Sequence, residues 1–128
     1  MEEQRVSLSA GEWRVMEVLW TGPQTLMELV RALGEDPGWA KSTVTTMARR
    51  MERKGLITYT TEGRAKVFQA ALAREDAAAA ETDSLLKRAY HGSVGLLVSA
   101  LVERNDLSKS DIDDLYAILR RAEKEEVR

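Results

Sequence analysis

The chain has 128 residues, 44% of them hydrophobic, with a formal net charge of −2, a single histidine and no cysteine. That length holds one domain or two small ones with a real core. The missing thiols exclude disulfides, thiolate metal sites and cysteine nucleophiles. The near-neutral total hides an asymmetry: residues 39–66 carry net +5, against −4 before them and −3 after. A local positive patch matters more to a polyanion than the total does. No N-terminal run resembles a signal peptide, and no stretch approaches the ~18 apolar residues of a membrane span. A cytoplasmic protein without membrane insertion is the expectation.

Residues 1–7 form a short polar tail. Ser9-Ala10-Gly11-Glu12 matches a capping box, in which serine and glutamate side chains satisfy free backbone N–H groups. The helix it opens, running to Trp20, puts Trp13, Met16 and Trp20 on one face, with Val15, Val18 and Leu19 widening it. Aromatics at this spacing indicate core packing before ligand stacking. Thr21-Gly22-Pro23 breaks the helix. Thr25 and Glu28 form a second capping box, opening a helix that buries Leu26, Leu29, Val30 and Leu33 and stops near Gly34.

A loop over 34–38 leads into the stretch that organises the chain. Val44, Met47, Ala48 and Met51 make one apolar stripe at helical spacing. Ser42, Thr46, Arg49 and Arg53 fall on the opposite side, with Arg50 beside them. Gly55 stops this third helix as a left-handed cap. Residues 56–61 and 65–70 read as strands around a turn at Glu62-Gly63-Arg64. Two helices, a basic third helix and a hairpin give a winged helix-turn-helix.

Residues 74–90 read as a helix, since Ala77-Ala78-Ala79-Ala80 has the best helix propensity; Leu85, Leu86 and Ala89 continue it. After a break at His91-Gly92-Ser93, Val94, Leu97, Val98, Leu101 and Val102 recur at helical spacing. Ser108 or Ser110 then caps a last helix carrying Ile112, Leu115, Ile118, Leu119 and Ala122, followed by a charged tail to Arg128. Three short helices have little interior of their own. Burying Leu85, Val94, Leu97, Val98, Leu101, Val102, Leu115 and Leu119 against a second copy is the economical solution. The expected fold is therefore mainly α with a small β-hairpin wing: a winged helix over residues 1–71 and an all-α dimerisation domain over 72–128.

Few residues suggest other chemistry. His91 stands alone at a helix break, and neither a catalytic spacing nor a glycine-rich phosphate loop is present, so no enzyme and no cofactor is expected. Asp111, Asp113 and Asp114 cluster in the first turns of a helix, where the macrodipole accounts for them without a metal. DNA binding fits better. Ser42, Thr43, Thr45 and Thr46, with Lys41, can approach base edges closely. Arg49, Arg50 and Arg53 reach phosphates, and Arg64 and Lys66 sit on the wing. Two alternatives belong to other classes. A ligand-responsive winged-helix regulator would show an apolar pocket at Trp13, Trp20 or Tyr90. A winged helix used only for protein–protein contact would not bind random duplex DNA at low salt.

LSAGEWRVMEVLW (residues 8–20), WAKSTVTTMARRMERKGLI (39–57), EGRAKVF (62–68) and GSVGLLVSALVERNDLS (92–108) together resemble the penicillinase-repressor family, BlaI/MecI/CopY. The resemblance spans nearly the whole chain. It implies a homodimeric transcriptional repressor on a palindromic double-stranded DNA operator, commonly upstream of β-lactamase or related resistance genes. It also implies a membrane sensor protease pathway whose cut in the dimerisation domain releases the repressor. In the best-known members that cut falls at an Asn-Phe bond. The matching positions here are Ala100 and Leu101, a departure from the family pattern. The copper branch carries a C-terminal cysteine motif, which this chain lacks.

Overall fold

A computed structural model describes residues 7–125; residues 1–6 of the polar tail and 126–128 of the charged tail lie outside the described residues. The element order is α1 (Ala10–Leu19), β1 (Gln24–Thr25), α2 (Leu26–Glu35), α3 (Lys41–Arg53), β2 (Ile57–Glu62), β3 (Ala65–Ala70), α4 (Arg74–Tyr90), α5 (Val94–Glu103) and α6 (Lys109–Lys124). Among the described residues, six helices and a three-stranded antiparallel sheet of order β1-β3-β2 make the fold mainly α with a small wing.

Local chemistry sets most of the boundaries. Ser9 and Thr25 both close reciprocal capping boxes, with Glu12 and Glu28. Gly55, at φ 82°, takes the left-handed conformation that ends α3. The Leu56 N–H reaches back to the Met51 carbonyl at 2.9 Å. The wing turn is tighter than expected, because Glu62 pairs with Ala65 and leaves only Gly63 and Arg64 between the strands. Gly63, at φ 64°, supplies the backbone that such a two-residue turn requires. Strand β1 was not expected: its two residues pair with Phe68 and Val67 of β3 and are too few to show alternation.

The chain divides into two compact units, Met1–Ser84 and Leu85–Arg128, and α4 runs across the division. In the first unit, Val15, Met16 and Leu19 of α1 and Leu29 and Leu33 of α2 are buried. With them lie Val44, Ala48 and Met51 of α3, and Leu56, Ile57 and Phe68 of the hairpin. Each large side chain there contributes roughly 1.5–3 kcal/mol by leaving water. The buried α3 residues are those of the sequence stripe, with Met47 partly buried beside them. Ala77 of α4 joins this core, which is why the compact unit reaches beyond residue 71. Gly11 permits the close approach of α1 and α3: a Cβ there would lie 3.1 Å from the Met47 methyl and 3.5 Å from the Trp39 ring.

The tryptophans serve packing. Trp13 and Trp20 meet edge to face at 5.6 Å. The Trp20 indole N–H donates to the Leu72 carbonyl at 2.8 Å. Arg74 lies over the Trp20 ring and donates to Glu17 through both terminal guanidinium nitrogens, Nη1 and Nη2, which raises the arginine's already high pKa. The first turn of α4 is thereby tied to α1.

Among the described residues, the Glu12 carboxylate is a polar group buried beside the core. It accepts from the Ser9 N–H and from the Lys54 ammonium, joining the start of α1 to the end of α3. Burial pushes its carboxyl up, but the hydrogen bond and charge of Lys54 and the two bonds to Ser9 outweigh this. They hold it below its ordinary value of 4.5. A carboxyl depressed on folding contributes stability that is present above its unfolded pKa and lost as pH falls through the folded one. Glu12→Gln keeps the capping geometry and loses the charge. We expect it to lower stability at pH 7 by roughly 1–2 kcal/mol, the range for a hydrogen bond to a charged group next to a partly solvated partner. Wild-type and variant denaturation curves should converge as pH drops below the carboxylate range; a constant gap between them would mean the Lys54 pair contributes nothing.

The second unit has a different character. No described residue of α5 or α6 is buried. Val94, Tyr116 and Leu119 are 60%, 58% and 59% exposed. Ser93 caps α5 through the Leu96 N–H, and Ser108 and Asp111 form a third capping box at α6. So Asp111 is a cap residue. His91 and Gly92 take positive φ at the α4–α5 break.

Candidate nucleic-acid interface

Helix α3 lies with its stripe against the core, so most of its remaining side chains face solvent. Lys41, Ser42, Thr43, Thr46, Arg49, Arg50 and Arg53 are all exposed, and Thr45 is half-buried. Arg64 occupies the wing turn and Lys66 the exposed part of β3. The two flanks of α3 differ. On one, Ser42, Thr43, Thr46, Met47 and Arg50 line a shallow notch of about 260 Å³. On the other, a notch of about 250 Å³ separates α3 from the wing, with Thr45, Arg49, Glu52 and Lys66 above Leu26, Ala48 and Phe68. The sequence-predicted residues are thus gathered on one helix and the hairpin that follows it.

The hydroxyls are not equivalent. Thr45 donates its proton to the Lys41 carbonyl at 2.9 Å, so that proton is committed to the helix and its hydroxyl can only accept. Two side-chain contacts near α3 and the wing were not expected from the sequence, those of Glu12 and Tyr59. Glu12 reaches Lys54, 42 positions away. Tyr59 stacks under the Lys66 ammonium, 4.2 Å from its ring centroid. Neither contact leaves a mark in local spacing.

In the second unit the apolar residues predicted for dimerisation lie on α4, α5 and α6. Leu85, Val94, Val102 and Leu119 are exposed; Leu97, Val98, Leu101 and Leu115 are half-buried. Val98, Val102, Leu115 and Leu119 line an apolar groove of about 320 Å³ together with Leu107, Ile112 and Tyr116. Leu107 and Tyr116 were not singled out from the sequence, although Tyr116 stands four residues after Ile112 on the same face. Ala100 and Leu101 are both half-buried within α5.

Among the described residues no cluster of three or more acidic or imidazole groups could hold a metal ion, and no helix is long and apolar enough to cross a membrane. A cleft of about 400 Å³ on the first unit is lined by Ala10, Trp13, Val18 and Leu33 and edged by Arg14, Glu17 and Asp36. Its guanidinium and one carboxylate, Arg14 and Asp36, pair with each other at 3.3 Å.

The sequence profile of the penicillinase repressor family matches residues 8–121. The chain belongs to the penicillinase repressor family. It is 30% identical over 113 residues to the penicillinase repressor of Bacillus licheniformis, covering 88% of each chain. It is 23% identical over 120 residues to the methicillin resistance regulatory protein MecI of Staphylococcus aureus strain N315, covering 93% of this chain and 98% of MecI. Its fold is similar to the solution structure of the DNA-binding domain of the repressor BlaI. There the TM-score is 0.52 and the identity 26%, over 59% of this chain and 93% of the other. A penicillinase repressor is a transcriptional regulator and not an enzyme.

Proposed function

We propose that this penicillinase-repressor chain acts in the cytoplasm as a homodimer on a palindromic operator, with its second unit as the dimerisation domain. In this reading it controls β-lactamase or related antibiotic-response genes, and proteolysis in the dimerisation domain releases it. The observation that carries the reading is the exposed row of hydroxyl and guanidinium side chains on α3 beside a wing bearing Arg64 and Lys66, on a fold like the BlaI DNA-binding domain. The exposed apolar faces of α5 and α6 support dimerisation, since a solvated groove of seven mostly large side chains gains by being covered. Ala100–Leu101 is the candidate cut. A bond inside a helix is a poor protease substrate, so cleavage there needs local opening or a dedicated protease.

The test is binding to a duplex containing an inverted repeat from upstream of the regulated gene, beside a scrambled duplex. Thr46, exposed and on the notch between Ser42 and Arg50, is assigned to base reading. Thr46→Ala should lose affinity for the operator by about five- to tenfold, within the range of a lost base contact, and leave the scrambled duplex unaffected. Equal loss on both would move this residue to the phosphates. Sedimentation should give twice the chain mass at micromolar concentration.

A second reading, a ligand-responsive regulator, draws on the cleft beside Trp13. In that case a small amphipathic compound should quench Trp13 fluorescence and weaken operator binding with the chain intact. Induction by proteolysis instead leaves two fragments.

A further inference from the structure

We propose that Tyr59 is a positioning residue for DNA binding, whose ring holds the Lys66 ammonium at the mouth of the notch opposite Arg49. The inference rests on the DNA-binding reading and adds a coupling between recognition helix and wing.

The geometry begins in the core. Phe68 of β3 is buried, and Tyr59 of β2 lies directly across from it in the hairpin register. Their rings meet at 5.9 Å with planes tilted by 58°. Lys66 stands two residues before Phe68, so side-chain alternation puts it on the same face of the wing. Its ammonium sits 4.2 Å from the Tyr59 centroid. Core, ring and cation thus form a stack running outward from Phe68. Lys66 and Phe68 both line the notch shared with Thr45 and Arg49 of α3. Arg49 and Lys66, on two elements, therefore line one opening between helix and wing, with the Glu52 carboxylate as the single acidic group among its lining residues.

A lysine is a flexible point charge, and fixing it on a phosphate costs rotamer entropy. A ring that already holds the ammonium near its bound position reduces that cost on association. The attraction of a cation to an exposed ring amounts to about a two- to fivefold effect. Tyr59 is 37% exposed, so the effect lies in this exposed range.

The experiment measures binding of the full chain to a 25-base-pair duplex across salt concentrations, for Tyr59→Leu, Tyr59→Phe, Lys66→Gln and the Tyr59→Leu/Lys66→Gln double variant. Tyr59→Leu should weaken binding about two- to fivefold with the salt slope unchanged, because the lysine still neutralises its phosphate once bound. Tyr59→Phe should restore wild-type affinity, since it keeps the ring. Lys66→Gln should lower the slope by about one, and adding Tyr59→Leu to it should cost nothing more. A merely structural tyrosine would weaken the Lys66→Gln chain by the same factor as the wild type. That multiplicative result, or a Tyr59→Leu chain that binds like wild type, overturns the proposal and leaves the DNA reading intact. Failure of the wild-type chain to bind any duplex at low salt overturns the DNA reading itself, and this inference with it.

Discussion

A chain ended at Ala100 is expected to lose roughly a hundred- to ten-thousandfold in affinity for an operator with two half-sites, while keeping its affinity for one half-site. Joining two binding modules makes the second engagement intramolecular, and gains of that size arise without any new contact. The truncation removes α6 entire, and with it Ile112, Leu115, Tyr116 and Leu119, one wall of the apolar groove. It also removes Leu101 and Val102 from α5. What remains cannot cover the same surface against a second copy. The winged helix should be untouched, because its core cluster reaches no further along the chain than Ala77. Thermal unfolding of the fragment should keep the cooperative transition of that unit. Titration against one-half-site and two-half-site duplexes separates the two effects. A fragment that grips the full operator as tightly as the intact chain does would show that affinity is not controlled by pairing of chains.

The parts of this molecule that could be read from sequence are those specified within one or two helical turns. Ser9–Glu12 and Thr25–Glu28 announce their helices because the capping partners lie three residues apart. The α3 stripe is legible because burial of Val44, Ala48 and Met51 repeats with the helix. The hairpin is legible because Gly63 stands between a β-branched run, Ile57 to Thr61, and a short run carrying Val67 and Phe68. What was missed depends on residues distant in the chain. Strand β1 exists only by pairing with Phe68 and Val67. The Glu12–Lys54 pair and the Trp20–Leu72 bond span 42 and 52 residues. Even Thr45, expected on the outer half of α3 and half-buried in the fold, has its hydroxyl proton committed to Lys41. Position could be read from periodicity, but the direction of a single proton could not. The extent of α4's attachment was also hidden. An alanine run reads as helix, but alanine packs on a core or faces water equally well. Only the fold shows Ala77 buried and Ala78 and Ala79 exposed.

Neutralising Arg49, Arg50 and Arg53 together should nearly abolish DNA binding at physiological salt, for every sequence alike. Each arginine on a phosphate releases about one condensed counterion, so log Kobs falls with log salt by about 0.9 per contact. Replacing all three by glutamine should therefore reduce the salt slope by about three and cost roughly a thousandfold at 0.1 M salt. The fold should tolerate the change. All three side chains are exposed, and exposed substitutions usually shift stability by no more than about 0.5 kcal/mol each. Arg50 and Arg53 stand in the last turn of α3, where positive charge favours the helix dipole. A further few tenths of a kcal/mol each is the expected loss there. The decisive quantity is the ratio between operator and scrambled duplex. If these arginines hold phosphates, both affinities fall together and the ratio is preserved, in contrast to Thr46→Ala. If the ratio collapses in the triple variant and the single Arg50→Gln reproduces that collapse, then Arg50 reads a base. Its place on the notch with Ser42, Thr43 and Thr46 would make that row the reading edge of the helix, leaving Arg49 and Arg53 to the backbone.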